Sequence, residues 1–310
     1  MLRIYHHTDY AAHANPDGHP ESTARWIAIG NAWQGLEDHF ELRQPPLAST
    51  EQITLLHPAA YWQALCEREP GPDQPPLSLD DDTWLSHGSI AAAARGAGAV
   101  LAGVDDVWPN GGSVFCAARP PGHHAGLAMP MGFCLINPIA LGAAHGRKTL
   151  GAERVAIVDF DVHHGNGTQD IFARDPSVMF ASSHQQPLYP GTGNIDETGV
   201  GNLINRPLPA GSGSETFRAT WAEDILPRIA DFKPELLLVS AGFDAHRDDP
   251  LAQINLEDDD YHWIGEQLKQ FANDHCHGRL VAMVEGGYNL EALQRSVRGF
   301  LQGLGKRTHA

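Results

Sequence analysis

The chain has 310 residues, 42% of them hydrophobic and 19% charged, so it holds enough apolar material for a substantial core. Its formal net charge of −17 disfavours a broad nucleic-acid-binding face, which needs clustered Lys and Arg. No apolar run approaches membrane-spanning length and the N-terminal MLRIYHHTDY has no apolar signal core, so neither nucleic acid nor membrane is an expected partner.

Predicted elements alternate along the chain. A strand is expected over Leu2–His6, a helix over Ser89–Val104, a strand over Ser113–Ala118 and a helix over Asn137–Lys148. Strands are expected over Arg154–Phe160 and Val178–Ser182, and a helix over Glu215–Phe232. Strands over Leu236–Ser240 and Leu280–Val284 then alternate with helices over Asp258–Asn273 and Leu290–Leu304. Alternation of this kind predicts an α/β fold, a three-layer sandwich whose central, mostly parallel sheet is flanked by helices. No repeat, linker or composition shift divides the chain, and the Pro-rich Pro70–Pro76 reads as a surface loop, so residues 1–310 are expected to form one domain. Cys66, Cys116, Cys134 and Cys276 form no CxxC pair, as expected of reduced thiols in a cytoplasmic protein. Compactness and the lack of tails point to a bacterial chain.

In a parallel sheet the ligand sits beyond the carboxyl ends of the strands. Four expected strands end there in glycine plus a chemically able side chain. RPPGHHAG carries His123 and His124; VAIVDFDVHHGNGTQDI carries Asp159, Asp161, His163 and His164; AGFDAHRDDP carries Asp244; and EGGYN carries Tyr288. One such Asp-His pair reads equally well as an ion-paired, capped strand end. Four converging ends predict a site, and 18 histidines raise the expectation of metal chemistry. Asp161, His163 and Asp244 would hold one zinc ion through three protein ligands and leave a position open for water, the mark of a catalytic centre. Zinc acidifies bound water and polarises a carbonyl. Amide hydrolysis then needs a base, an acid and a donor for the oxyanion. His123 and His124 are candidates for the proton work, with Asp159 and Asn166 available to fix their tautomers. Tyr288, after Gly286-Gly287, can reach over the metal.

RPPGHHA, GFC at Gly132–Cys134, DFDVHHGNGTQ, YPGTG at Tyr189–Gly193, SAGFDAHRDDP and EGGYN, following HPEST at His19–Thr23, together resemble the zinc-dependent histone deacetylase family. The likeness is to its class II branch and to bacterial deacetylase-like and acetylpolyamine amidohydrolase members, and it covers most of the chain. The resemblance implies the arginase/deacetylase-like fold and removal of acetyl or another short acyl group from an amine, foremost an acyl-lysine side chain. It implies Asp161, His163 and Asp244 as zinc ligands, His123 paired with Asp159, and His124 paired with Asn166 as base and then acid. Tyr288 matches the donor to the substrate carbonyl. Gly132, Phe133 and Tyr189 match the walls of the acyl-lysine tunnel. Leu251 matches a rim position that is acidic in polyamine-selective members. A potassium ion is implied at Asp159, Asp161, His163, Ser182 and Ser183, and one of Asp80, Asp81 and Asp82 matches a rim aspartate. Relatives form dimers or tetramers, so a homo-oligomer is expected. The alternatives are an acetylpolyamine amidohydrolase, a ureohydrolase of related fold, and a catalytically silent module that binds acylated ligands.

Overall fold

A computed structural model describes residues 2–305. In chain order its elements are β1 (Leu2–Tyr5), α1 (Thr23–Asn31), β2 (Phe40–Arg43), α2 (Thr50–Ile53), α3 (Ala59–Arg68), β3 (Leu77–Ser78), β4 (Trp84–Leu85), α4 (Ser89–Val107), β5 (Gly112–Cys116) and α5 (Pro138–Lys148). There follow β6 (Val155–Asp159), α6 (Asn166–Phe172), β7 (Val178–Gln185), β8 (Leu203–Leu208), α7 (Ser214–Ala219), a π-helical turn (Thr220–Ile225), α8 (Leu226–Phe232), β9 (Leu236–Ala241), α9 (Asp258–His275), β10 (Arg279–Val284) and α10 (Leu290–Gly305).

Eight strands make one sheet in the order β2-β1-β5-β10-β9-β6-β7-β8, and every pairing in it is parallel. The expected three-layer sandwich is therefore present, with a sheet parallel throughout. Its central strands are apolar on both faces because both are covered. On β9, Leu237 and Val239 join the core beneath α9 and α10, while Leu236 and Leu238 join the core beneath α4 and α5. On β6, Ala156 and Val158 take the first side, and Val155 and Ile157 the second. Small residues let α4 lie close to the sheet: a Cβ on Gly103 would stand 2.9 Å from Val114, on the neighbouring strand. Asn137 caps α5, its Oδ1 accepting from the Ala140 N–H at 2.9 Å, with Pro138 at the first turn where its missing N–H costs nothing.

Three expectations are corrected. β2 and β8 lie at the two edges of the sheet, half-exposed or interrupted by Pro207, and lack the apolar run that marked the inner strands. The helix expected over Glu215–Phe232 is present as one unbroken helical run but carries the π turn in its middle, just ahead of Pro227, whose ring and missing N–H disfavour a regular i to i−4 ladder. Gly165-Asn166-Gly167, whose two glycines read in the sequence as the turn that ends the preceding strand, instead opens α6 at Asn166. Among the described residues no helix is long and apolar enough to cross a membrane, and all four cysteines are free thiols.

The order of strands positions the site. β9 and β10 insert between β5 and β6, so the four strands with chemically able ends are neighbours, β5-β10-β9-β6. Their carboxyl ends are shared along one edge of the layer, and the loops that leave them meet.

Candidate active site

Asp161, His163 and Asp244 are buried, and one donor atom from each lies within 4.8 Å of the others. The Nδ1 atom of His163 stands 3.1 Å from Asp161 Oδ1 and 3.1 Å from Asp244 Oδ2. Backbone amides orient the carboxylates: Val162 N–H donates to Asp244 Oδ1 at 2.9 Å, and Gly286 N–H donates to Asp161 Oδ2 at 2.8 Å. Gly286 has no room for a side chain, since a Cβ there would meet Asp244 Oδ2 at 2.0 Å and Asp161 Oδ2 at 2.6 Å. Burial and the charge of Asp161 push the Asp244 carboxyl above its usual range, a crowding of like charge that a bound cation relieves. Two carboxylate oxygens and an imidazole nitrogen at this spacing fit a divalent ion, and the donor set suits zinc.

The tandem histidines lie beside this cluster, 2% and 4% exposed, with ring centroids 4.0 Å apart. They have different partners and opposite electrostatics. His123 Nδ1 is 2.9 Å from Asp159 Oδ2, a buried carboxylate. Burial alone would depress the His123 imidazole, but Asp159 and Asp161 outweigh it and push it up to about 10. His124 Nδ1 is 2.7 Å from Asn166 Oδ1, while the amide nitrogen of Asn166 donates to Met131 Sδ at 3.4 Å. The amide therefore turns its oxygen to the ring, Nδ1–H donates, and Nε2 keeps a free lone pair. Burial, with His123 and His163 nearby, holds the His124 imidazole well below its ordinary range.

Tyr288 is half-buried and its phenol is pushed well above 10, chiefly by burial. Its ring lies 5.8 Å from that of Phe133, edge-on, and the Arg25 guanidinium sits 5.0 Å from its centroid. Tyr189 stands edge-on to His124 at 5.3 Å and is 40% exposed. Gly132 is also pressed against His124, where a Cβ would meet the ring at 2.5 Å. Both Gly132 and Phe133 have positive φ, 56° and 69°, a turn that carries Phe133 over to the edge-on contact with Tyr288.

Of the acidic triplet, Asp80 closes the β3–β4 turn, its Oδ1 accepting from the N–H groups of Asp82 and Thr83. Asp81 is exposed, whereas Asp82 is half-buried and bears on the Tyr189 phenol, which burial pushes up first and Asp82 further. His164 does not join the cluster: Nδ1 meets Thr192 Oγ1 at 2.8 Å and Nε2 meets Gln169 Oε1 at 3.0 Å, which ties down the loop that carries Tyr189. Ser182 and Ser183 are buried on β7, Ser182 in register with Asp159. Their hydroxyls are already engaged, by His184 Nδ1 at 2.9 Å and by the Trp221 indole N–H at 3.0 Å.

Three residues of the site were not foreseen. Arg25, fully buried, donates to the carbonyls of Gly287 at 2.7 Å and Glu285 at 2.5 Å. Glu285 accepts through Oε2 from the N–H groups of Gly122 and His123, and burial pushes its carboxyl up to about 7. Asp249 accepts from three backbone N–H groups, those of Leu251, Tyr288 and Asn289. All three hold backbone, and backbone partners leave no mark on a sequence.

The chain matches the histone deacetylase domain over residues 19–304. It is 38% identical to histone deacetylase 14, chloroplastic, of Arabidopsis thaliana, covering 95% of this chain and 75% of that one. It is 39% identical to a probable deacetylase of Methanothermobacter thermautotrophicus, covering 97% and 90%. The structure resembles the crystal structure of an acetylpolyamine aminohydrolase from Burkholderia pseudomallei with a TM-score of 0.86 at 27% identity, covering 98% of this chain and 99% of that one.

Proposed function

The chain belongs to the histone deacetylase family, and from that premise we propose that it is a zinc-dependent amidohydrolase that removes acetyl or another short acyl group from an amine, foremost from an acyl-lysine side chain. The observation that carries the reading is the pair of adjacent histidines with opposite electrostatics beside a three-donor cluster. Asp161, His163 and Asp244 would hold the ion, which when bound supplies a Lewis acid to the acyl carbonyl and acidifies water.

The protein's own groups do the rest. His124, neutral and with Nε2 free, takes the proton of the water that attacks the acyl carbon. It then returns that proton to the amine nitrogen as the C–N bond breaks, so acyl leaves as a carboxylic acid and the amine as the second product. His123, kept cationic by Asp159, faces the same space and stabilises the negative charge that develops. The Tyr288 hydroxyl, protonated at any working pH, donates to the oxyanion. Phe133 and Tyr189 wall the approach, and Gly132 lets that wall close on His124. Leu251, without charge, favours a neutral stem over a polycation.

A potassium ion at the backbone oxygens of Asp159, Asp161 and His163 with Ser182 and Ser183 forms part of the same reading; its support is the resemblance and the register that sets Ser182 beside Asp159. Four free cysteines accord with a cytoplasmic protein. A second reading, an acetylpolyamine amidohydrolase, draws support from the Burkholderia pseudomallei structure and from Asp80 and Asp82 near Tyr189, which favour a cationic substrate. The deciding assay follows amine release from an acetyl-lysine peptide and from acetylputrescine, before and after chelation and zinc return. Release from the peptide above the polyamine supports the first reading, and the reverse order supports the second. No release from either, with zinc bound, defeats both.

A further inference from the structure

Tyr288 is delivered to the site by two glycines, and a Gly-Gly segment does not hold a phenol in place by itself. Gly287 has φ of +123° and Gly286 tolerates no Cβ, so neither position can be stiffened by a side chain. Fixation must come from outside the loop. On the carbonyl side Arg25 supplies it, binding the oxygens of Glu285 and Gly287. On the amide side Asp161 holds the Gly286 N–H at 2.8 Å, and the N–H groups of Tyr288 and Asn289 share one carboxylate, that of Asp249, which is 6% exposed.

Asp249 Oδ2 accepts from the N–H groups of Tyr288 at 2.7 Å and Asn289 at 3.2 Å. Its other oxygen, Oδ1, accepts from the N–H of Leu251 at 3.1 Å. The aspartate is itself seated in a tight turn, its own N–H donating to the His246 carbonyl at 2.9 Å. One side chain thus joins the loop after β9, with Leu251, to the loop after β10, with Tyr288.

Resting on the function proposed above, we propose that Asp249 is a positioning residue that sets the reach of the Tyr288 phenol through Oδ2 and the placement of Leu251 at the rim through Oδ1. The two oxygens have separable duties. In Asp249→Asn the amide oxygen serves the two N–H groups of Tyr288 and Asn289, and the amide NH2 is left facing the Leu251 N–H, donor against donor. That variant keeps the phenol in place and frees the rim. Asp249→Ala releases both.

The test measures kcat and KM on an acetyl-lysine peptide for the zinc-loaded full chain, with zinc content and thermal midpoint recorded alongside. Asp249→Asn is expected to raise KM several-fold with kcat little changed. Asp249→Ala is expected to lower kcat roughly tenfold or more, since misplacement of a reacting group by about 1 Å costs up to about 10²-fold. In the Tyr288→Phe background, Asp249→Ala should lower kcat no further, because the group it positions is gone. Equal kcat losses with and without Tyr288→Phe would overturn the proposal, as would a kcat loss in Asp249→Asn matching its KM effect. The second criterion stands even if Asp249→Ala does not fold. Failure of the proposed function is distinguishable, because the unsubstituted chain would then release no acetate at all.

Discussion

His124 is bonded through Nδ1 to the amide oxygen of Asn166 at 2.7 Å, while its neighbour His123 faces a carboxylate, Asp159, at 2.9 Å. A neutral partner fixes the tautomer and stabilises the imidazolium less than a carboxylate would, so burial, with His123 and His163, holds His124 neutral. Asn166→Asp is therefore expected to raise the pKa of His124. The base must be unprotonated, so kcat/KM rises with pH through that pKa, and the acid limb of the profile should move to higher pH by the same amount. A pH–rate profile of the two forms at matched zinc content checks it, and an unmoved acid limb would remove His124 from the role of base.

Tyr288→Phe keeps the ring against Phe133 and Arg25 and removes only the hydroxyl. The expected loss in kcat is about 10²- to 10³-fold, the range for one oxyanion donor, with zinc content and thermal midpoint close to those of the parent. Since the phenol is held protonated well above 10, it should contribute no basic limb to the profile below about pH 10. Near-full activity in the variant, measured by acetate release, would show that the phenol does not touch the developing charge.

Gly286→Ala should act on the metal rather than the chemistry. The added methyl would stand 2.0 Å from Asp244 Oδ2, so the carboxylate must swing away or the β10 loop must lift. Either movement parts the donors that now lie within 4.8 Å. The expected result is a folded chain with zinc content and activity lost together, measured by metal analysis after gel filtration. Zinc bound at full stoichiometry would mean that the ion is held elsewhere. Asp244→Ala, which removes a donor outright, should give the same pairing of losses.

The sequence carried the metal cluster and the tandem histidines because those residues are local to strand ends: Asp159, Asp161 and His163 fall within five positions, after one apolar run. A single rule about carboxyl ends of parallel strands then joined four distant segments. What escaped has a common physical cause. Asp249, Glu285 and Arg25 work on backbone N–H and C=O groups of loops remote in the chain, and any residue presents the same backbone. The edge strands β2 and β8 escaped for a different reason, since burial on both faces is what wrote the inner strands into the sequence. Asn166 was matched to His124 as a partner but placed in a turn, because two flanking glycines outweighed its place in the first turn of α6.

Acid should destabilise the fold in two windows, and the signs follow from the groups involved. His6 is stacked on Trp26 with ring centroids 5.2 Å apart, and burial lowers its pKa to about 4. An unfolded histidine takes up its proton near pH 6.5, the folded one only near 4. Stability from His6 is thus complete above about pH 6.5 and is lost as pH falls towards 4. Glu21 acts lower on the scale. Burial would raise its carboxyl, but Arg119, His13 and Arg25 outweigh that and hold it well below the usual carboxylate range. Its contribution is complete above the unfolded carboxylate pKa, about 4.3, and is lost as pH falls further through the lowered folded value. His6→Phe keeps the stack and removes the titration, so it should lessen the slope of unfolding free energy against pH, between pH 6 and 4.5, by up to about 1.4 kcal/mol per unit. Urea melts at a series of pH values read that slope directly. An unchanged slope would mean that His6 takes up its proton in the folded chain as readily as in the unfolded one.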